Sequence, residues 1–174
     1  SEPPMPAAQQ QEIFRSVLGQ ALAEDCSYDV VQTVHEQFCE RMAEHKASRE
    51  SEPLLISKQD VRQVLEACGV SENRLTAFEE SFDQAFGAGT ELSPQNLVNL
   101  KQMDVVTPDV TIRVSPERSS LVETRMIDGM KYIMIRAESG VEVNGVPIRL
   151  DAGGSVEVPE EETVSGEVKA DALV

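Results

Sequence analysis

The sequence predicts an α+β protein: an N-terminal bundle of about five helices, then a small antiparallel β-sheet of four to five strands. Three observations carry that prediction. Apolar residues recur at helical spacing through the first hundred positions, and after Lys101 the period drops from 3.6 to 2. Asp128-Gly129 and Asn144-Gly145 stand between alternating runs, where such dipeptides favour two-residue hairpin turns. Residues 1–7, with Pro3, Pro4 and Pro6, read as a linker within a longer polypeptide or as the remnant of a trimmed tag. Residues 8–102 form the helical segment, 103–150 the β segment, and 151–174 an acidic tail with a short strand at Val156–Val158.

The first helix, over 8–23, carries Ile13, Phe14, Val17, Leu18, Ala21 and Leu22 as one stripe. Ser27 caps the second, with Asp29 favourably placed in its first turn. That helix runs to about Lys46 with Val31, Val34, Phe38 and Met42 inward. A polar link over 47–53 ends in Pro53. Ser57 then caps the third helix, Asp60 stands three residues on in a near-capping box, and Ile56 and Val61 are spaced as a hydrophobic staple. Val61, Val64, Leu65 and Cys68 face inward, and Gly69 ends the helix. Ser71 caps the fourth, whose Leu75, Phe78, Phe82 and Phe86 form one stripe before Gly87. Ser93-Pro94 opens a short fifth helix through Leu100.

In the β segment, Val110, Ile112 and Val114 alternate with Thr111 and Arg113. The Asp128-Gly129 turn sets Ile127 opposite Met130, Arg125 opposite Tyr132 and Thr124 opposite Ile133. One face then holds Val122, Thr124, Met126, Ile133 and Ile135; the other holds Glu123, Arg125, Tyr132, Met134 and Arg136. The Asn144-Gly145 hairpin gathers Val141, Val143, Val146 and Ile148 on an apolar face, with Pro147 marking an edge. One face of the whole sheet is expected to be buried.

The formal charge is −16, and it is unevenly spread. The first hundred residues carry −10, the next fifty are neutral, and the tail carries −6. Such a chain is repelled by nucleic acid and by anionic membranes unless it concentrates positive charge. No apolar run approaches the ~20 residues of a membrane span. Cys26, Cys39 and Cys68 are scattered and odd in number, which argues against a disulfide framework and for a reducing, cytoplasmic setting.

Residues 68–75, CGVSENRL, imitate the turn of a DNA-reading helix–turn–helix. The helix after it rejects that function. It presents Glu72, Glu79, Glu80 and Asp83 against a single Arg74, where phosphates and base edges demand Lys, Arg, Asn or Gln. His35 and Cys39 lie four apart on the second helix, a spacing that serves two metal ligands or a base and a thiol. No second ligand pair and no third orienting group accompanies them, so they read as the border of the core. The glycines at 87, 89, 153 and 154 lack the Lys-Ser/Thr of a phosphate-cradling loop, and no GxSxG, HExxH or EF-hand spacing occurs.

The feature left standing is a basic outer sheet face: Arg113, Arg118, Arg125 and Arg136, with Tyr132 and Met134 between them. It is expected to dock a protein partner. Its plain alternative is that these arginines meet the acidic helices of the same chain. Exposed backbone at Pro147 and along Asp109–Val114 adds the expectation of strand pairing between copies.

The stretches VHEQFCERMAEHKASRESEPLLISKQDVRQVLEACGVSENRL and TPDVTIRVSPERSSLVETRMIDGMKYIMI resemble an uncharacterised bacterial family, a domain of unknown function of Gram-positive anaerobes. The likeness spans roughly 10–150 and is most specific at PERSSLVETRMIDGMKYI. It implies the later, C-terminal part of a longer cytoplasmic protein and transfers no activity, cofactor or catalytic residue. The sequence therefore predicts a non-catalytic interaction or assembly module, needing no cofactor, metal or small-molecule ligand and binding neither nucleic acid nor membrane. The rival readings are an accessory part of an enzyme whose active site lies in a preceding portion, and the disfavoured DNA reader.

Overall fold

The computed structural model describes residues 3–151 and the backbone of Glu162–Thr163; the tail strand expected at Val156–Val158 lies outside the described residues. The chain divides into two compact units, residues 1–119 and 120–174.

The first unit is built on four α-helices: α1 (Ala7–Leu22), α2 (Tyr28–Ser48), α3 (Lys58–Ala67) and α4 (Glu72–Phe86). Their apolar stripes meet in one core, in which Phe14, Phe38, Phe78, Leu22, Val61, Leu65 and Leu75 are fully buried. Phe14 and Phe38 tilt against each other across α1 and α2 at 6.0 Å, and Phe82 and Phe86 do so along α4 at 4.9 Å. Each such ring contributes about 1.5–3 kcal/mol by burial alone. On α2 the inward stripe is Val30, Val34 and Phe38, with His35 beside it. Val31, expected inward, is 44% exposed, because the i, i+4, i+8 row begins one residue earlier.

The helix ends follow their chemistry. Ser27 Oγ accepts the Val30 N–H at 3.2 Å. At α3 the box is fully reciprocal: Ser57 Oγ accepts from Asp60 N at 3.1 Å, and Asp60 Oδ2 accepts from Ser57 N at 2.8 Å. Ile56 and Val61, the staple pair, are both buried. The far end of α3 closes as a Schellman turn, with Gly69 at φ +86, Gly69 N bonded to Glu66 O and Val70 N to Leu65 O. Ser71 occupies the N-cap position of α4 but makes no side-chain cap; its hydroxyl turns to Asp25 instead.

The fifth helix expected over 93–100 is a single 3-10 turn, Pro94–Asn96. Leu97 is fully buried, and the next carbonyls, of Asn99 and Leu100, bond side chains of α2 rather than continuing a helix. Two short ladders complete this unit. β1 (Ile56–Ser57) pairs antiparallel with β2 (Glu91–Leu92), bringing the buried Ile56 and Leu92 together, and β3 (Met103–Val106) pairs with β4 (Thr111–Val114).

In the second unit, β5 (Val122–Ile127) and β6 (Met130–Ile135) pair antiparallel around Asp128 and Gly129, both at positive φ. The register is the one the turn predicts: Ile127↔Met130, Arg125↔Tyr132, Thr124↔Ile133. β9 (Glu162–Thr163) lies on the other side of β5, giving the order β6-β5-β9. β7 (Val141–Val143) and β8 (Val146–Ile148) form the second predicted hairpin, with Asn144 and Gly145 again at positive φ.

Among the described residues the strands thus form four separate small sheets, where the sequence predicts one of four to five. Turn residues dictate which neighbours in sequence pair, but nothing in an alternating pattern dictates which hairpin edges meet. Burial also departs from the expected single covered face. In β5 and β6 it changes from strand to strand: Val122 and Ile127 are buried although they lie on opposite faces, while Ile133 and Ile135 are exposed. Val143, Val146 and Ile148 of the second hairpin are exposed as well. Among the described residues no helix is long and apolar enough to cross a membrane.

Candidate functional sites

The six residues of the expected docking face fall on separate sheets and turns. Arg113 lies on β4 and pairs with Asp104 across the β3–β4 ladder, Nε to Oδ1 at 3.2 Å; Arg118 is exposed on the 3-10 turn Pro116–Leu121. Both belong to the first unit. In the second unit Arg125 on β5 faces Tyr132 on β6, and Met134 shares their side of the ladder. Arg136 follows β6, its N–H bonded to Leu121 O at 2.8 Å. Arg125 Nε meets Glu123 at 3.2 Å and Arg136 Nε meets Glu138 at 3.0 Å. These acids lie two residues away along the chain, on the same side of an extended strand, so these two ion pairs are local.

His35 is buried among the α2 stripe, and its Nε2 donates to the carbonyl of Asn99 at 2.6 Å. A carbonyl only accepts, so Nε2 carries the proton and Nδ1 is left facing Cys39 Sγ at 4.0 Å. Cys39 in turn donates to the carbonyl of Leu100 at 3.7 Å. Burial pushes the Cys39 thiol up, with Glu117, Glu36 and Glu40 adding to the effect. A nucleophilic thiol needs the opposite surroundings. The pair ties residues 99–100 to α2, and no group of three or more His, Cys, Asp or Glu among the described residues could hold a metal ion.

That tie builds one wall of a groove of about 840 Å3. α1 contributes Gln11 and Arg15, one turn apart on one face. α2 contributes Cys39, Met42, Ala43 and Lys46, the i, i+3, i+4, i+7 row of a single face. The third wall is the segment from Gln95 to Lys101, where Val98 and Leu100 supply apolar surface and Asn99 Oδ1 fixes Lys101 by accepting its N–H at 2.9 Å. Its volume is that of a small-molecule site, typically ~300–1,000 Å3.

Charge distinguishes this groove from the rest of the surface. No carboxylate lines it, whereas three cations do. Among the described residues, Arg15, Lys46 and Lys101 make no ion pair, as is true also of Arg49 and Lys131 elsewhere, while Arg41, Lys58, Arg62, Arg74, Arg113, Arg125, Arg136 and Arg149 all do. Sequence reasoning missed the groove. The row from Cys39 to Lys46 is visible as a helix face, but it is the bonds from His35 to Asn99 and from Cys39 to Leu100 that hold the segment carrying Lys101 beside it.

The sequence profile of a family described as a domain of unknown function, DUF4317, matches residues 1–146. The match includes the PERSSLVETRMIDGMKYI stretch. No curated protein and no solved structure matches the chain.

Proposed function

The chain belongs to this family of unknown function, and from that premise we propose that it is a non-catalytic assembly module that pairs with a second copy through the free edge of β6. One observation carries the reading: among the described residues β6 is a six-residue edge strand of its sheet, and Met130, Tyr132, Ile133 and Ile135 on it are all exposed. An edge of this length and apolarity is a template for another strand.

The ladder says which groups are available. Arg136 bonds back to Leu121, so the alternating inward-bonded residues are 136, 134, 132 and 130. The N–H and C=O groups of Lys131, Ile133 and Ile135 therefore point outward. A two-fold axis through Ile133 sets Ile133 against Ile133, Lys131 against Ile135 and Tyr132 against Met134. No like charges oppose each other in that register. Residues 101–150 are neutral overall, so long-range repulsion from the acidic helices is not reinforced at the contact.

The test is light scattering across a concentration series, on the chain and on Ile133→Pro. Proline at 133 removes an outward donor and leaves the β5–β6 ladder intact. A concentration-dependent dimer that Ile133→Pro abolishes supports the reading. A monomer at every concentration, or a dimer indifferent to the substitution, overturns it.

A further inference from the structure

We propose that the groove between α1, α2 and the 95–101 segment binds a small organic anion: a phosphate or carboxylate head on a compact apolar body. The inference goes beyond the strand-pairing reading and rests on the first unit alone.

The head group is argued from charge. In a chain at −16, most cations of the described residues are neutralised by an acid at 2.7–3.5 Å, and the three that line this groove are not. Arg15, Lys46 and Lys101 come from three different elements and line one groove, with no carboxylate among the lining residues. An anion bound there would answer the positive charge these three side chains bring to the groove. The net negative charge of the chain does not cancel this local field, because at physiological ionic strength charges are screened beyond ~8 Å. Glu117, Glu36 and Glu40 are close enough to act on Cys39, but none of the three lines the groove. The head is therefore assigned to Arg15, Lys46 and Lys101.

The body is argued from the remaining walls. Met42, Val98 and Leu100 offer apolar surface, all half-buried, and Met is the residue that adapts to an irregular apolar guest. Gln11 and Asn99 supply amides that orient polar substituents. A few polar groups set in a mostly apolar concavity of this volume are the anatomy of a small-molecule site rather than of a broad protein contact.

The probes are phenyl phosphate, phenylacetate and neutral benzyl alcohol, titrated while the Met42 methyl is followed by NMR, with the Met103 and Met130 methyls as internal references. Saturable movement of Met42 by at least one of the two anions, with a dissociation constant of about 1 mM or below, is expected. Comparing phosphate with carboxylate identifies the preferred head. Lys46→Glu and Lys101→Glu replace exposed side chains free of ion pairs, and each is expected to weaken binding about fivefold or more by removing one attraction and adding one repulsion. Three outcomes overturn the proposal: Met42 unmoved by both anions at ~20 mM, benzyl alcohol binding equally well, or both charge reversals leaving the titration unchanged in a protein whose spectrum is otherwise native.

Discussion

The hydroxyl of Ser71 donates to Oδ2 of Asp25 at 2.9 Å, and the Ser71 backbone N–H gives the same oxygen a second bond at 3.0 Å. One carboxylate thereby joins the turn after α1 to the first turn of α4, 46 residues away. It also explains why Ser71 leaves its own helix uncapped: the N–H and O–H face a charged acceptor, which outcompetes a neutral cap. Next to it Arg74 reaches Glu24 at 2.7 Å, so the lone Arg of the apparent recognition helix is engaged within the chain.

The bonds from Ser71, backbone first and then hydroxyl, hold the Asp25 carboxyl below the usual carboxylate range, with Arg74 assisting. A depressed carboxylate stabilises the fold above its unfolded value near ~3.9, and that stability is lost as pH falls through the lower folded value. Asp25→Asn is expected to cost about 0.5–1 kcal/mol at pH 7 and to converge on the parent at about pH 2–3. Urea unfolding of both proteins at the two pH values measures this; an unchanged difference would assign the effect to shape rather than charge.

Gly69 stands at φ +86 with nothing within 4 Å of the position a Cβ would take. Gly69→Ala therefore meets no clash, only the left-handed backbone penalty of about 1–2 kcal/mol. Gly19, inside α1 and equally open, is the control, since Ala there is expected to stabilise by up to ~1 kcal/mol. Thermal melts of the two variants should move in opposite directions.

These positions show where the sequence speaks. Gly69, Ser57 with Asp60, and both hairpin dipeptides act within a few residues, and local chemistry suffices to place them and even to set the β5–β6 register. The fifth helix fails because its fate is decided 61 and 64 residues away: Cys39 and His35 draw off the carbonyls of Leu100 and Asn99. The burial of β5 and β6 fails for a related reason. Alternation assigns side chains to faces, but the coverage of β5 and the exposure of β6 depend on strand position in the sheet, which no pattern within the hairpin encodes. The groove was invisible because its cations are unremarkable singly at positions 15, 46 and 101.

The His35–Asn99 bond makes a structural prediction about a residue that resembles a ligand. His35→Ala removes a buried ring and leaves the Asn99 carbonyl without its donor, at an expected cost of about 2–4 kcal/mol. Cys39→Ser keeps a donor for Leu100 and is expected to cost under ~1 kcal/mol. Because burial and the neighbouring carboxylates push its thiol up, Cys39 should react with iodoacetamide more slowly than an unfolded-state thiol at pH 8 and gain rate as pH rises. Mass mapping of the alkylated cysteines decides it.

Tyr28 supplies the corresponding prediction at high pH. Its hydroxyl donates to the Ser119 carbonyl at 3.1 Å, and burial, with help from the Asp29 charge, pushes the phenol up to about 12. An acid whose folded value is raised stabilises the fold fully below its unfolded value near ~10, and that contribution is lost as pH rises through about 12. A comparison with a variant that lacks the phenol isolates this one group. Tyr28→Phe removes both the donor and the ionisation. It should be less stable than the parent by about 1 kcal/mol at pH 8, where the bond is intact. As pH climbs from ~10 to ~12, the parent loses the advantage and then falls below the variant, because a buried phenolate beside Asp29 is worse than a benzene ring. Urea midpoints at three pH values trace the crossing. Parallel curves would mean that Tyr28 ionises as it does in the unfolded chain, and the anchoring of Ser119 to α2 would then rest on Gln32, whose amide reaches Ser119 Oγ at 2.9 Å.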